Sequence, residues 1–217
     1  MKLMVIGGGG REHAIIRALK KNSRVEAIYA LPGNAGMEGD AILVPIGAKD
    51  IPAQVDFAKS HEIDFAVVAP DDPLVLGAVD ALTAAGIPCF GPKTNAALLE
   101  GSKGFAKDLM ARHHIPTAAC RVFETLPEAR AYAETAPLPQ VIKADGLALG
   151  KGVIIAETRE DAKKALREMM ADKIFGESGS KVVMEEFLTG PEVSVLAFTD
   201  GKTIRPMVSS MDHKRAH

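Results

Sequence analysis

The chain has 217 residues, room for one large domain or two small ones at about 150 residues per domain. Its 47% apolar and 25% charged content suits a packed core, and 26 Lys plus Arg against 28 Asp plus Glu leave a net charge of −2. With no long basic block, eight Phe, two Tyr and no Trp, it does not read as a nucleic-acid binder, and no apolar run reaches the roughly 18 residues of a membrane helix.

Residues 1–6 run into glycine before a signal-peptide core could form, and Cys89 and Cys120 show neither metal-ligand spacing nor a disulfide framework. A soluble, cytoplasmic chain is expected. Residues 3–6 form a continuous apolar run, the pattern of a strand covered on both faces. The turn Gly7-Gly8-Gly9-Gly10 follows, and then Ala14, Ile15, Ala18 and Leu19 recur at helical spacing. Such glycines let a ligand's negative groups approach a helix N-terminus, although a tight turn with no ligand has the same composition. A dinucleotide fingerprint fails here: Glu12 or His13 stands where its third glycine belongs, and the second strand, 25–30, ends in no acidic residue.

A third strand is expected at 64–69, with helices near 50–60 and 73–85, so this half predicts a small doubly wound α/β sheet. Segments 32–36 (PGNAG) and 70–73 (PDDP) fall just past strand ends on one edge, where open parallel sheets bind small ligands. Amides around Gly33 could form an anion nest, or the two segments could be ordinary turns.

Gly101-Ser102 breaks the helical pattern, and Phe105, Ala106, Leu109 and Met110 resume it up to Ile115-Pro116. Thr125-x-x-Glu128 and Thr158-x-x-Asp161 are capping boxes that predict helices near 126–134 and 159–170. Strands are expected at 141–144, 152–156, 182–187, 192–198 and 203–209, with Asp200-Gly201 as a hairpin turn. This texture predicts an α+β unit with antiparallel strands.

Lys143 sits inside an apolar strand, where an unpaired ammonium is costly to bury, so a polyanionic guest is expected beside it. Gly146, Gly150, Lys151 and Gly152 follow in a loop suited to covering a triphosphate, or equally to an exposed hairpin. It is not a Walker A loop, because a strand and not Ser/Thr and a helix comes next. Glu185, Glu186, Phe187 and Leu188 could form an apolar slot with polar edges for adenine, with Glu192 accepting from ribose hydroxyls. An ordinary strand with solvated glutamates reads the same way.

Seven segments occur in order: GGGGREH (7–13), PGNAG (32–36), EGSKGFAK (100–107), IPTA (115–118), KADGLALGKGV (143–153), EEFL (185–188) and DHKR (212–215). Together they closely resemble the glycinamide ribonucleotide synthetases, or phosphoribosylamine–glycine ligases, ATP-grasp enzymes of purine biosynthesis. The resemblance implies a Rossmann-like N-terminal domain over 1–100 and an incomplete ATP-grasp domain over 101–217, with a small lid at about 120–190. It implies that 5-phosphoribosylamine and glycine are joined through glycyl phosphate as ATP becomes ADP and phosphate.

By the same resemblance, Lys103 and Lys143 are nucleotide-phosphate lysines, the 146–153 loop covers ATP, and residues 185–188 are the adenine hinge. Glu192 is similar to the ribose carboxylate. Gly10, Gly33, Asn34, Asp71, Asp212, His213, Lys214 and Arg215 are similar to positions around the other substrates, Asp71 standing where the family usually has Glu. Family members run to about twice this length, so the ligands for Mg²⁺ or Mn²⁺ are expected beyond His217. The chain alone is therefore expected to lack ligase activity and to self-associate through an exposed strand near 203–209. A non-catalytic ATP-binding module and another ATP-grasp carboxylate–amine ligase are the competing readings.

Overall fold

The computed structural model describes residues 1–148 and 150–211. The first eight elements are strand β1 (Lys2–Gly7), helix α1 (Gly10–Leu19), β2 (Ala27–Pro32), β3 (Ile42–Leu43), α2 (Ile51–Ser60), β4 (Phe65–Val68), α3 (Asp71–Val75) and α4 (Ala78–Ala84). Next come β5 (Cys89–Phe90), α5 (Thr94–Gly101), α6 (Lys103–Arg112), β6 (Cys120–Phe123), α7 (Leu126–Thr135), β7 (Gln140–Ala144), β8 (Val153–Ala156) and α8 (Arg159–Leu166). After a π-helical turn at Arg167–Ala171, β9 (Val182–Glu186), β10 (Ala197–Thr199) and β11 (Ile204–Pro206) complete the described chain.

The first five strands form one parallel sheet in the order β3-β2-β1-β4-β5. Strand β1 is central, and its continuous apolar run follows from cover on both faces. Met4 and Ile6 pack with Ala58 of α2 and Leu82 of α4, while Leu3 and Val5 pack with Ile16 of α1. Each such side chain contributes about 1.5–3 kcal/mol of burial. The expected doubly wound sheet is thus present. Its two outer strands went unpredicted because two residues are too few to show a period.

The helix expected over 73–85 is two helices. Gly77 breaks them at φ 91°, a conformation that suits glycine and not a residue with a side chain.

The second sheet has the order β6-β9-β7-β8, and every pairing in it is antiparallel. One face, with Ile142, Ala144, Val182 and Met184, packs on Ala129 and Ala133 of α7 and on Ala162 and Leu166 of α8. The opposite face carries Lys143, Val183 and Glu185, which lie on alternate residues to those core positions. The Thr158 capping box forms in full, with Thr158 accepting from the Asp161 amide and Asp161 from the Thr158 amide. At Thr125 it does not: the hydroxyl donates to the Glu128 carboxylate instead, at 2.6 Å.

Residues Met1–Glu186 make one compact unit and Phe187–His217 a second. Within the second, β10 and β11 pair antiparallel, and Asp200 Oδ1 accepts from the Lys202 and Thr203 amides to close the hairpin. Both strands are shorter than the expected 192–198 and 203–209, with only an isolated Ser194–Ser210 bridge continuing the pairing. No helix among the described residues is long and apolar enough to cross a membrane.

Candidate functional site: a lysine cluster under a glycine-rich loop

Helix α6 is seated on the end of β7 by its own cap. Ser102 Oγ accepts from the Phe105 amide at 3.1 Å and donates to Asp145 Oδ2 at 2.9 Å. Asp145 Oδ1 accepts from the Gly104 amide at 2.6 Å, and the Asp145 carbonyl from the Lys103 amide at 3.0 Å. A carboxylate against the first turn of a helix is a favourable electrostatic arrangement. This anchoring sets Lys103 and Lys107, one turn apart, over the sheet face that carries Lys143 and Glu185.

Lys143 Nζ donates to Glu185 Oε2 at 2.9 Å, and Lys107 Nζ lies 3.1 Å from the same oxygen. The Glu185 side chain is only 6% exposed and that of Lys107 10%, against 26% for Lys143. The expectation that Lys143 needs a polyanionic guest for compensation is therefore corrected: its counter-charge is internal, supplied by a strand 42 residues further on. Lys103 Nζ donates to the Gly146 carbonyl at 3.0 Å, and burial depresses its pKa below the usual lysine range, partly offset by Asp145 and Glu100. Three ammonium groups thus gather beside Glu185 and Asp145, with the Glu100 charge also reaching Lys103, and Asp145 is already committed to the cap of α6. Converging ammonium groups suit a polyanion.

The glycine-rich loop starts beside this cluster, at the Gly146 carbonyl that accepts from Lys103. Its root is fixed, because the Gly146 amide donates to the Ser178 carbonyl at 3.1 Å and Ser178 Oγ to the Leu147 carbonyl at 2.7 Å. A Cβ on Gly146 would lie 2.9 Å from Ser178 Cα, and one on Gly152 2.6 Å from Ala148 Cβ. Gly150, at φ 73°, has open space around it, and Lys151 beside it is exposed. Beneath lies a cavity of about 360 Å³ whose lining includes Lys49, Asp72, Leu147, Ala148 and Lys151. Lys49 and Asp72 are ion-paired at 2.8 Å.

Residues 185–188 are divided between the two units. Glu185 points into the lysine cluster, and the Glu186 carboxylate accepts from the Ala119 amide at 2.8 Å. Phe187 and Leu188 belong to the second unit, where they and Glu192 are exposed. Asp212, His213, Lys214 and Arg215 lie outside the described residues.

At the carboxyl edge of the parallel sheet, two amide cradles are filled by the chain itself. Glu12, buried and unnoticed as a functional candidate, accepts from the Gly9 amide at 2.6 Å. Asn34 Oδ1 accepts from the Gly36 amide at 2.7 Å while Asn34 Nδ2 donates to the Gly8 carbonyl at 2.8 Å. The expected anion nest at 33–36 is thus occupied in part by the Asn34 side chain. Gly33 takes φ 69° and has no room for a Cβ, which would meet Leu43 at 2.6 Å. Gly10 opens α1 with nothing near it. Asp71 begins α3 and, with Arg11 and Glu100, lines a cavity of about 550 Å³.

The family whose description is phosphoribosylglycinamide synthetase, N domain, matches residues 1–100, and its ATP-grasp (A) domain matches residues 101–217. The chain belongs to the phosphoribosylglycinamide synthetase family. Phosphoribosylamine–glycine ligases from Listeria monocytogenes serotype 4b and Vibrio cholerae are 51% and 50% identical to it, over 100% and 99% of this chain. The match takes in 52% and 51% of those two proteins, so the chain spans about half the length of the curated relatives it matches.

A crystal structure of phosphoribosylamine–glycine ligase from Thermotoga maritima superposes with a TM-score of 0.79 at 31% identity, over 99% of this chain and 51% of that one. A biotin carboxylase from Campylobacter jejuni superposes at 0.78 with 18% identity, over 94% of this chain and 49% of that one, and shares the fold. The α/β architecture expected from the sequence, a Rossmann-like parallel sheet followed by ATP-grasp elements, is the one present.

Among the described residues no group of three or more His, Cys, Asp or Glu is placed to hold a metal ion. The two carboxylates in the lysine cluster are committed to lysines and to the α6 cap, so this donor set does not fit a divalent cation.

Proposed function

We propose that this chain carries the nucleotide-phosphate site of an ADP-forming ligase that joins 5-phosphoribosylamine to glycine in purine biosynthesis, in the cytoplasm. The observation that carries the reading is the convergence of the Lys103, Lys107 and Lys143 ammonium groups at the root of the loop holding Gly146, Gly150, Lys151 and Gly152. The chemistry is phosphoryl transfer followed by acyl transfer. A glycine carboxylate oxygen bonds to the γ-phosphorus as the bond to ADP breaks, giving glycyl phosphate. The amine of phosphoribosylamine then bonds to the acyl carbon, inorganic phosphate leaves, and the amine loses its proton.

In this scheme Lys103 and Lys143 offset the charge on the transferring phosphoryl group, a positioning and electrostatic task. The loop excludes water from the acyl phosphate, which would otherwise hydrolyse. Glu185, Glu186, Phe187 and Leu188 hold the base through their backbone, and Glu192 the ribose. We assign the phosphoribosyl and glycine substrates to Gly10, Gly33, Asn34, Asp71, Asp212, His213, Lys214 and Arg215. A divalent cation, Mg²⁺ or Mn²⁺, accompanies the nucleotide and is held by groups outside the described cluster.

The test is calorimetric titration with a non-hydrolysable ATP analogue. Lys143→Met, which leaves Glu185 its contact with Lys107 and should fold, is expected to weaken binding about tenfold or more, the worth of one charge-assisted contact. Equal affinity in the variant would remove the basis of the proposal. An assay for ADP release with glycine and phosphoribosylamine separates turnover from binding alone.

A further inference from the structure

The Lys107 side chain is only 10% exposed, against 26% for Lys143, and the chemistry above gives it no task. An ammonium has three N–H donors. Those of Lys107 have three acceptors in reach: Thr117 Oγ1 at 2.8 Å, the Ala118 carbonyl at 3.2 Å and Glu185 Oε2 at 3.1 Å. Thr117 and Ala118 thus take two of its donors, and the ammonium is ion-paired with Glu185. Lys143 differs. Among the described residues its ammonium donates to Glu185, which leaves two N–H groups, and its side chain is 26% exposed.

Both ammonium groups share a single carboxylate oxygen, and this sharing sets the charge Lys143 can present. If Glu185 had Lys143 alone as its partner, the pair would be close to neutral and the lysine would be held tightly to the sheet. With Lys107 taking part of the carboxylate's charge, Lys143 is less fully neutralised by Glu185. Lys107 also ties α6 to residues 117–118, next to the point where the Glu186 carboxylate and amide close on Ala119. It thereby fixes Glu185 from the side opposite Lys143.

We propose that Lys107 is a positioning residue: it acts through Glu185, sharing that carboxylate so that Lys143 is left free to engage a polyphosphate, without touching that ligand itself. This rests on the reading of the cluster as a nucleotide-phosphate site. Deleting the Lys107 charge should lower affinity for a polyanion even though every ligand-facing group remains.

The experiment compares the full chain with Lys107→Met, Lys107→Gln and Lys107→Arg, measuring the Kd of a non-hydrolysable ATP analogue and the thermal midpoint of each. Lys107→Met and Lys107→Gln are expected to weaken binding about tenfold, as for one lost charge-assisted interaction. Lys107→Arg, which keeps the charge, should bind as the unsubstituted chain does. Lys107→Gln is included because it retains a donor for Thr117 Oγ1 or the Ala118 carbonyl, and so folds if Lys107→Met does not. Unchanged affinity in the neutral variants, even with a lowered thermal midpoint, assigns Lys107 a merely structural role and overturns the inference. So does a loss in Lys107→Arg equal to that in Lys107→Gln. Failure of the unsubstituted chain to bind the analogue overturns the nucleotide-site reading itself, a result distinct from either of these.

Discussion

Gly8 and Gly33 meet backbone to backbone: a Cβ on Gly8 would lie 2.6 Å from the Gly33 carbonyl oxygen and 3.3 Å from its carbon. The loop after β1 and the loop after β2 are packed on each other at this point, and Asn34 Nδ2 adds its hydrogen bond to the Gly8 carbonyl. Because the obstacle is main chain, it cannot swing aside as a side chain could. Gly8→Ala is expected to destabilise the fold by about 1–3 kcal/mol, the usual range for overpacking, and denaturant unfolding measures it.

Glu12 closes the turn after β1 by accepting from the Gly9 amide. Glu12→Ala removes a buried, charge-assisted cap and should reduce stability by about 1–3 kcal/mol. Glu12→Gln keeps an acceptor of nearly the same shape and should lose less. Equal unfolding midpoints for the Ala variant and the unsubstituted chain would refute the assignment.

Asp40 accepts from His13 and Lys20, and these bonds hold its carboxyl below the ordinary 3.8, with His13 the larger cause. A carboxyl with a lowered folded-state pKa contributes stability that is complete above its unfolded pKa and is lost as pH falls through the folded one. Asp40→Asn should therefore lower the thermal midpoint at neutral pH and converge with the unsubstituted chain in acid below 3.8. Added salt should shrink the neutral-pH difference, because the group is solvent-accessible.

Lys103 carries the opposite signature. Burial lowers its pKa below the ordinary 10.5, so it begins to lose its proton at a lower pH than a free lysine. A polyanion beside it favours the charged form and raises that pKa again, so binding takes up a proton wherever Lys103 is partly neutral. Affinity for the ATP analogue should fall as pH rises toward 10.5. Lys103→Met should bind more weakly at neutral pH and lose this component of the alkaline fall.

The central strands were legible because burial on both faces leaves an uninterrupted apolar run, as in Leu3 to Ile6. Strands β3, β5 and β6 were not, since two to four residues such as Cys120-Arg121-Val122-Phe123 carry no readable period. The site was half visible. Lys143 drew attention as a cation in an apolar strand, yet its partner Glu185 is distant in sequence and meets it only through the β7–β9 pairing. Lys107 was not singled out, because nothing local announces that Thr117, Ala118 and Glu185 will enclose it. Glu12 was passed over while the glycines around it were being matched to a fingerprint. A search for carboxylates three residues after a glycine at a helix N-cap, here Gly9, would have found it.

The order β6-β9-β7-β8 bears on how the chain is made at the ribosome. Strands β1 to β5 are all encoded before residue 91, so the parallel sheet can assemble while the remainder is still being translated. Strand β6 cannot be matched so early: its partner is β9, and Val122 and Phe123 must wait for Val183 and Val182 to be synthesised. The β7–β8 hairpin can form meanwhile, leaving open the flank that β9 will occupy. A nascent chain stalled between residues 156 and 182 would thus present an unfilled slot, a target for chaperones, until one further strand seals it.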